Sequence, residues 1–333
     1  MSSQQRGAQP VRRELARQAS TRLARAGLPV LPNLITDAGE KATRAFLEFF
    51  VASIRNKNTR LAYARAVAGF FLWCEDHGLA LRGIGPLAVA AYIEKHTGSP
   101  PTVKQHLAAI RMLFDFLVVS QVVAFNPATS VRGPKHVVKR GKTPVLAAEQ
   151  ARELLDSINT TTIVGLRDRA ILAVMIFSFA RVGAVCGMNV GDYHQNGKRW
   201  WLRLHEKGGK RHEVPAHHNA EAYLDAYLEA AGIAEGKKTP LFRTLDRERR
   251  LTEQRITRND VLRMVKRRAR DAGLPATTSC HTFRATGITA YLENGGTIEN
   301  AQAIAAHESP RTTKLYDRTS DEITLDEIER IAI

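Results

Sequence analysis

Residues 126–144 read NPATSVRGPKHVVKRGKTP, and this stretch limits what the chain can become. Pro127, Gly133, Pro134, Gly141 and Pro144 exclude a long helix, because proline removes a backbone donor and glycine weakens a helix interior. Helical patterns lie on both sides. Two bodies joined by this segment are therefore expected rather than one continuous array. A length of 333 residues is enough for two proper cores. The stretch also carries Arg132, Lys135, Lys139, Arg140 and Lys142. An exposed hinge without contacts would account for its composition. A basic linker lying along a phosphate backbone accounts for the charge as well, and is favoured.

Before the linker, apolar residues recur at helical spacing. Residues 1–37 form a basic arm, with Glu14 the one acid among residues 1–30. Its composition mimics a transit peptide, but the charge of the rest of the chain favours a mobile arm that touches phosphates. Segments 38–54, 60–77, 86–96 and 102–120 read as amphipathic helices, and Gly78 and Pro86 punctuate them. Leu107, Ile110, Leu113, Phe114 and Leu117 make one stripe. Residues 38–125 are thus a four-helix unit. Arg55, Lys57, Arg60, Lys104 and Arg111 sit on its polar faces near helix starts. Each alone is an ordinary solvated charge; together they suggest a DNA-facing surface.

The whole chain holds 49 Lys and Arg against 33 Asp and Glu, a net charge of +16, which points to a polyanionic partner such as nucleic acid. Cys74, Cys186 and Cys280 have neither metal-ligand nor redox spacing, which suggests a reducing, cytoplasmic compartment. The longest apolar run, 170–180, is too short for a bilayer and reads as a buried helix. No membrane association is expected, even of the basic amphipathic segment 257–272. That segment carries Arg258, Lys266 and Arg267, for which DNA contact fits better.

The second body is taken as residues 145–320. Its apolar helix 166–180 delivers Arg181. A charge at such a place needs either a carboxylate partner or an anionic ligand. Asp168 and Asp192 are the nearest acids in sequence, both some way off, which favours the ligand. Residues 200–205 and 211–215 read as a β-hairpin with Lys207 and Lys210 in its turn. The hairpin alone does not separate functional lysines from solvated ones. Further on, His281 and Arg284 stand three residues apart and so share a helix face. Both can donate to an anion, and arginine's planar fork suits phosphate. His307 and Tyr316 follow.

Taken in order, Arg181, the lysine hairpin, His281-x-x-Arg284, His307 and Tyr316 resemble the tyrosine recombinase, or phage-integrase, family. The likeness runs from about residue 38 to the end. It implies a mainly α fold with a small β-hairpin or sheet: a helical, SAM-like core-binding domain and a catalytic domain clamped on DNA. It further implies a homotetramer on paired DNA sites, monomeric or weakly associated when free and nucleoid-associated when active. Arg181 and Arg284 would bind the phosphate, Lys207 would protonate the leaving oxygen, and His281 and His307 would hydrogen-bond the phosphate and move protons. Tyr316 would be the nucleophile. Lys210 sits too late in the turn for the lysine role. Residues 321–333, acidic with Ile323, Leu325, Ile328 and Ile331, could cap their own domain. The resemblance makes them a tail exchanged between protomers. Two positions depart from the family: Ala184 where an acid is common, and Ala306 where Gly is common, the latter read as a small change at a helix start.

The chemistry fits such residues. Phosphodiester cleavage builds negative charge that two arginines and hydrogen-bonding histidines can stabilise in place of a metal. A phenol, with a pKa of about 10, must lose its proton as it attacks, and a neutral His281 could take it. A covalent 3′-phosphotyrosine keeps the energy of the broken bond, so no cofactor or ATP is expected. No nucleotide-binding loop is present in the sequence. The expected role is integration or excision of a mobile element. A type IB topoisomerase would share the chemistry. A non-catalytic DNA-binding regulator would leave the five ordered residues unexplained, and a metal-dependent nuclease would need acids that do not cluster in the sequence.

Overall fold

The computed structural model describes residues 31–138, 141–206, 209 and 211–318. Most of the arm 1–37, Lys139, Arg140, Lys207, Lys210 and the tail 321–333 lie outside the described residues. The chain divides into two compact units between Val137 and Val138, inside the breaker-rich stretch.

The first unit contains α1 (Asn33–Asp37), α2 (Glu40–Glu48), α3 (Lys57–Asp76), α4 (Pro86–Lys95) and α5 (Pro100–Val119). Where one helix was expected over 38–54, Gly39 at φ 102° separates α1 from α2, and α2 ends in a π-turn, Phe49–Ser53. The wider turn leaves both Phe49 and Phe50 buried. Arg60 closes it by donating Nε and Nη2 to the Ile54 carbonyl at 3.0 and 2.8 Å. Asn56 caps α3, accepting from the Asn58 and Thr59 amides at 3.0 and 3.2 Å, so the helix begins ahead of the expected segment 60–77. Phe70 and Phe71 of α3 meet Phe114 of α5 edge-on in the core.

The prolines and glycines of 126–144 prevent helix but not packing. Ala128 and Val131 are buried in the first unit's core. Arg111 donates to their carbonyls at 3.2 and 2.9 Å. Arg111, expected on a DNA-facing surface, is thus a tie that folds the linker's first half onto α5.

The second unit is built on α7 (Ile163–Phe177), after α6 (Ala148–Asp156). Helices α8 (Val182–Gly187), α9 (His218–Ala231), α10 (Arg258–Asp271), α11 (Cys280–Glu293), α12 (Ile298–Ile304) and α13 (Pro310–Lys314) follow. Both α9 and α11 pack on α7. The expected hairpin is present as β2 (Arg199–His205) and β3 (Arg211–Pro215), with His205 opposite Arg211. A further strand, β1 (Tyr193–Asn196), completes an antiparallel three-stranded sheet in the order β1-β2-β3. A separate pair, β4 (Arg243–Leu245) and β5 (Leu251–Arg255), was not expected. Among the described residues no helix is long and apolar enough to cross a membrane.

Two interactions fasten helices to α7. Asp168, fully buried, accepts from Arg167, Arg267 and Arg268 at 2.9, 2.8 and 2.8 Å, which anchors α10. On α11, a β-carbon added at Gly287 would stand 2.0 Å from the Ile176 carbonyl oxygen, so here the two backbones nearly touch. Gly287→Ala should therefore force α11 off α7 and destabilise the second unit by about 3 kcal/mol, the upper range for overpacking. Thermal unfolding checks this: the second unit's transition should fall while the first unit's stays.

Candidate active site

Helix α11 starts where the Ser279 amide donates to Thr282 Oγ1 at 3.0 Å. Its close approach to α7 carries Arg284 into the interior, where only 1% of the residue is exposed. A buried guanidinium needs acceptors around it. Nη1 donates to the Phe179 carbonyl, and Nη2 to the Ala305 carbonyl at 2.7 Å. Nη2 also lies 2.7 Å from His307 Nε2. Nε is buried without a protein partner. Burial first, and then the like charge of Arg181, push Arg284 down to about 10; it stays protonated at neutral pH.

His307 follows α12. The Ala306 amide donates to Ala303 and the His307 amide to Gln302, both at 3.1 Å, which is a Schellman ending. Ala306 therefore stands at a helix C-terminus, not at a start, and its φ of 47° is left-handed. A β-carbon is disfavoured there, so glycine would fit this position with less strain than Ala306. Burial, then the charges of Arg284 and Arg181, bring His307 down to about 4, so it is neutral. Arg284 can only donate, so Nε2 accepts and the ring proton sits on Nδ1, which faces Thr313 Oγ1 at 2.9 Å.

Tyr316 comes just after α13. Its carbonyl accepts from Thr289 Oγ1 of α11 at 2.9 Å, and its ring lies parallel to His307, with centroids 5.8 Å apart. The residue belongs to the buried apolar cluster that also contains Phe179, Ile288 and Ala305, and is 7% exposed. The hydroxyl stands 2.7 Å from His281 Nε2. His281 is open to solvent on one side, but the surrounding protein and then the charges of Arg284 and Arg181 hold it below its ordinary range. With Nε2 unprotonated, His281 can accept a hydrogen bond from the phenol.

Arg181 caps α8, as the sequence placed it after an apolar helix. Neither Asp168 nor Asp192 pairs with it: Asp168 belongs to Arg167, Arg267 and Arg268, and Asp192 lies 3.8 Å from Arg203 and 3.5 Å from His205. The partner is Glu206, whose Oε2 accepts from Nη1. The expectation of an unpartnered Arg181 is thereby corrected. The pairing was partly legible, because inward positions of β2 alternate: Leu202 and Leu204 are buried, and Glu206 is the next such position.

Arg181, His281, Arg284, His307 and Tyr316 thus gather at one place in the second unit. Burial pushes the Cys186 and Cys280 thiols up to about 11, which leaves no competing thiolate. Among the described residues no group of three or more His, Cys, Asp or Glu could hold a metal. The candidate DNA contacts among the described residues are of two kinds. Arg55, Lys57, Lys104, Lys135 and Arg258 are exposed. Arg60, Arg111 and Arg267 hold internal acceptors, and Lys266 donates to the Ala276 carbonyl at 2.5 Å.

The family model described as the phage integrase family matches residues 144–322, more than half of the chain. The chain belongs to the phage integrase family. The tyrosine recombinase XerD of Oceanobacillus iheyensis is 26% identical over 268 residues, covering 78% of this chain and 86% of its own. XerH site-specific recombinase bound to difH in a pre-cleavage complex has a TM-score of 0.63 at 15% identity, covering 90% of this chain and 95% of its own. A lambda integrase tetramer bound to a Holliday junction has a TM-score of 0.61 at 18% identity, covering 85% and 80%. At these identities the two structures show a shared fold.

In this phage integrase family chain the neutral His307 makes stability depend on pH. Its folded value of about 4 lies below the ordinary 6.5. Between those values the unfolded chain binds a proton that the folded chain does not. Stability is therefore full above the ordinary value and is lost as pH falls toward the folded one. Between about pH 7 and about pH 5 the loss from this group should be about 2 kcal/mol. Urea unfolding of wild type and His307→Asn at both pH values checks this, since the variant should lose that part of the slope.

Proposed function

We propose that this protein is a site-specific DNA recombinase that cuts and rejoins strands through Tyr316. The carrying observation is the 2.7 Å contact between the Tyr316 hydroxyl and neutral His281, beside the buried Arg284. In the reading this supports, a scissile phosphate sits between Arg181 and Arg284, with His307 at its side. The Tyr316 oxygen attacks phosphorus as its proton passes to His281 Nε2. The bond from phosphorus to the 5′ oxygen breaks, and Lys207 protonates that oxygen. The products are a 3′-phosphotyrosine and a free 5′-hydroxyl. The reverse sequence, with a hydroxyl from another strand, rejoins DNA without an external energy source.

The arginines supply the charge stabilisation that a metal would otherwise provide. The net charge of +16 supports double-stranded DNA as partner, with the cytoplasm and its nucleoid as the place of action. Arg55, Lys57, Lys104, Lys135 and Arg258 are proposed to touch its backbone, together with Lys139 and Arg140 of the linker. The family's assemblies support a homotetramer on paired sites, with residues 321–333 as the exchanged tail. The four-helix body 38–125 would be the core-binding domain, 145–320 the catalytic one, and the biological role integration or excision of a mobile element.

The test is covalent capture. A random-sequence pool of nicked duplexes is incubated with protein in EDTA and run on a denaturing gel. Wild type should give a protein–DNA adduct, and Tyr316→Phe should bind DNA but give none. An adduct with Tyr316→Phe would place the nucleophile elsewhere, and loss of the wild-type adduct in EDTA would contradict the metal-free mechanism.

A further inference from the structure

We infer that Thr313 is a positioning residue whose hydroxyl lets His307 exchange one ring tautomer for the other when a phosphate enters the site. The inference rests on the recombinase reading above for the place of the phosphate. Its structural part stands on the residues around His307 alone.

Thr313 lies on α13 and is fully buried. Its hydroxyl oxygen is 2.9 Å from His307 Nδ1, and its carbonyl accepts from the Tyr316 amide at 2.9 Å. One residue thus meets the histidine with its side chain and the tyrosine with its main chain. The other ring nitrogen of His307, Nε2, is 2.7 Å from Arg284 Nη2. A guanidinium only donates, so Nε2 is bare in the free protein, Nδ1 carries the proton and the threonine oxygen accepts the hydrogen bond. Turning the ring over would break both bonds. It would also disturb the parallel contact with the Tyr316 ring.

That tautomer opposes an anion. Nδ1 faces the buried threonine, so Nε2 is the nitrogen on the Arg284 side, where the phosphate is proposed to bind. A bare nitrogen and a phosphate oxygen are both acceptors and repel each other. Once the phosphate takes the Nη2 donor that faces His307, Nε2 has lost its partner as well. The ring can then gain a second proton, or it can stay neutral and carry its one proton on Nε2. Burial, then the charges of Arg284 and Arg181, bring His307 down to about 4 and so oppose the cation. The neutral exchange changes no charge: one proton leaves Nδ1 for solvent and one arrives at Nε2 from it. It needs a group beside Nδ1 that accepts before the exchange and donates after it. A carbonyl accepts only and an amide N–H donates only, whereas a hydroxyl does either by rotating its proton. Thr313 supplies that hydroxyl. In the loaded site Nε2–H donates to the phosphate, and the Thr313 hydroxyl donates to Nδ1.

The experiment has two arms. In the first, the full chain carries isotope-labelled histidine, and nitrogen NMR at neutral pH distinguishes the two neutral tautomers and the cation. His307→Asn identifies the His307 signals. Free wild type should show the Nδ1–H form, and inorganic phosphate should convert it to the Nε2–H form. A ring that keeps its proton on Nδ1 with phosphate bound, or that carries two protons, would overturn the exchange. Signals of His281 and His307 that ignore phosphate altogether would remove the anion from this site and the inference with it. Thr313→Val keeps the shape and removes the hydroxyl, so conversion should need about tenfold more phosphate, and Thr313→Ser should restore it. The second arm uses a duplex captured covalently by wild type. Thr313→Val should bind it as wild type does and cut it about tenfold more slowly, with Thr313→Ser again restoring the rate. In a His307→Asn background Thr313→Val should cost nothing further. A full tenfold loss there would assign the residue to packing around Tyr316, and no loss in the wild-type background would make it a bystander; either overturns its action through His307. No wild-type adduct on any duplex would defeat the recombinase reading itself, and the phosphate arm would still judge the tautomer exchange. Thr313→Ala carries both arms should Thr313→Val not fold.

Discussion

A guanidinium sealed inside protein governs the second unit. Arg284 is among the largest side chains with almost no exposure, and its charge has to be met by oriented acceptors. Those acceptors come from three places in the chain: the carbonyl after α7, the carbonyl after α12, and the ring of His307. None can be supplied unless α11 lies against α7, and Gly287 permits that approach. Helix packing and site assembly are consequently one event here. The same packing lets Thr289, on the helix of Arg284, hold the main chain of Tyr316.

Positive charge dominates what results. Burial first, and then the charges of Arg284 and Arg181, hold both His281 and His307 below their ordinary range. Neutral imidazoles can accept protons and hydrogen bonds, which cationic ones cannot. An anion between the arginines would relieve the crowding. The single carboxylate bonded to either arginine among the described residues is Glu206, and it meets Arg181 at one corner. Such a site favours a phosphodiester over an uncharged substrate on electrostatic grounds alone.

Much of this was legible in the residues. The spacing of His281 and Arg284 put them on one helical face, and helix boundaries such as Pro86–Lys95 followed from punctuation. What escaped was non-local. Strand β1 has the sequence YHQN, with no apolar alternation, and is held by pairing with β2 and by the single buried residue Tyr193. The β4–β5 pair is short and polar, and is closed by Asp246 accepting from the Arg250 amide at 2.8 Å. The cations Arg60, Arg111 and Arg267 looked like surface charge because their acceptors are carbonyls and one remote carboxylate. Glu206 lies 25 positions from Arg181, and only the strand period hinted at its direction.

The two carbonyls that hold Arg284 belong to Phe179 and Ala305, and left-handed backbone at Phe179 and Ala306 aims them. Their contribution comes from peptide planes and not from side-chain functional groups. Truncating a side chain at 179 or 305 deletes no acceptor, so an alanine scan would pass over the groups that neutralise the arginine. What must be preserved through sequence drift at these positions is a pair of torsion angles. As acceptors these positions depend on those angles and not on the side chain, although Phe179 is also buried in the apolar cluster that contains Tyr316.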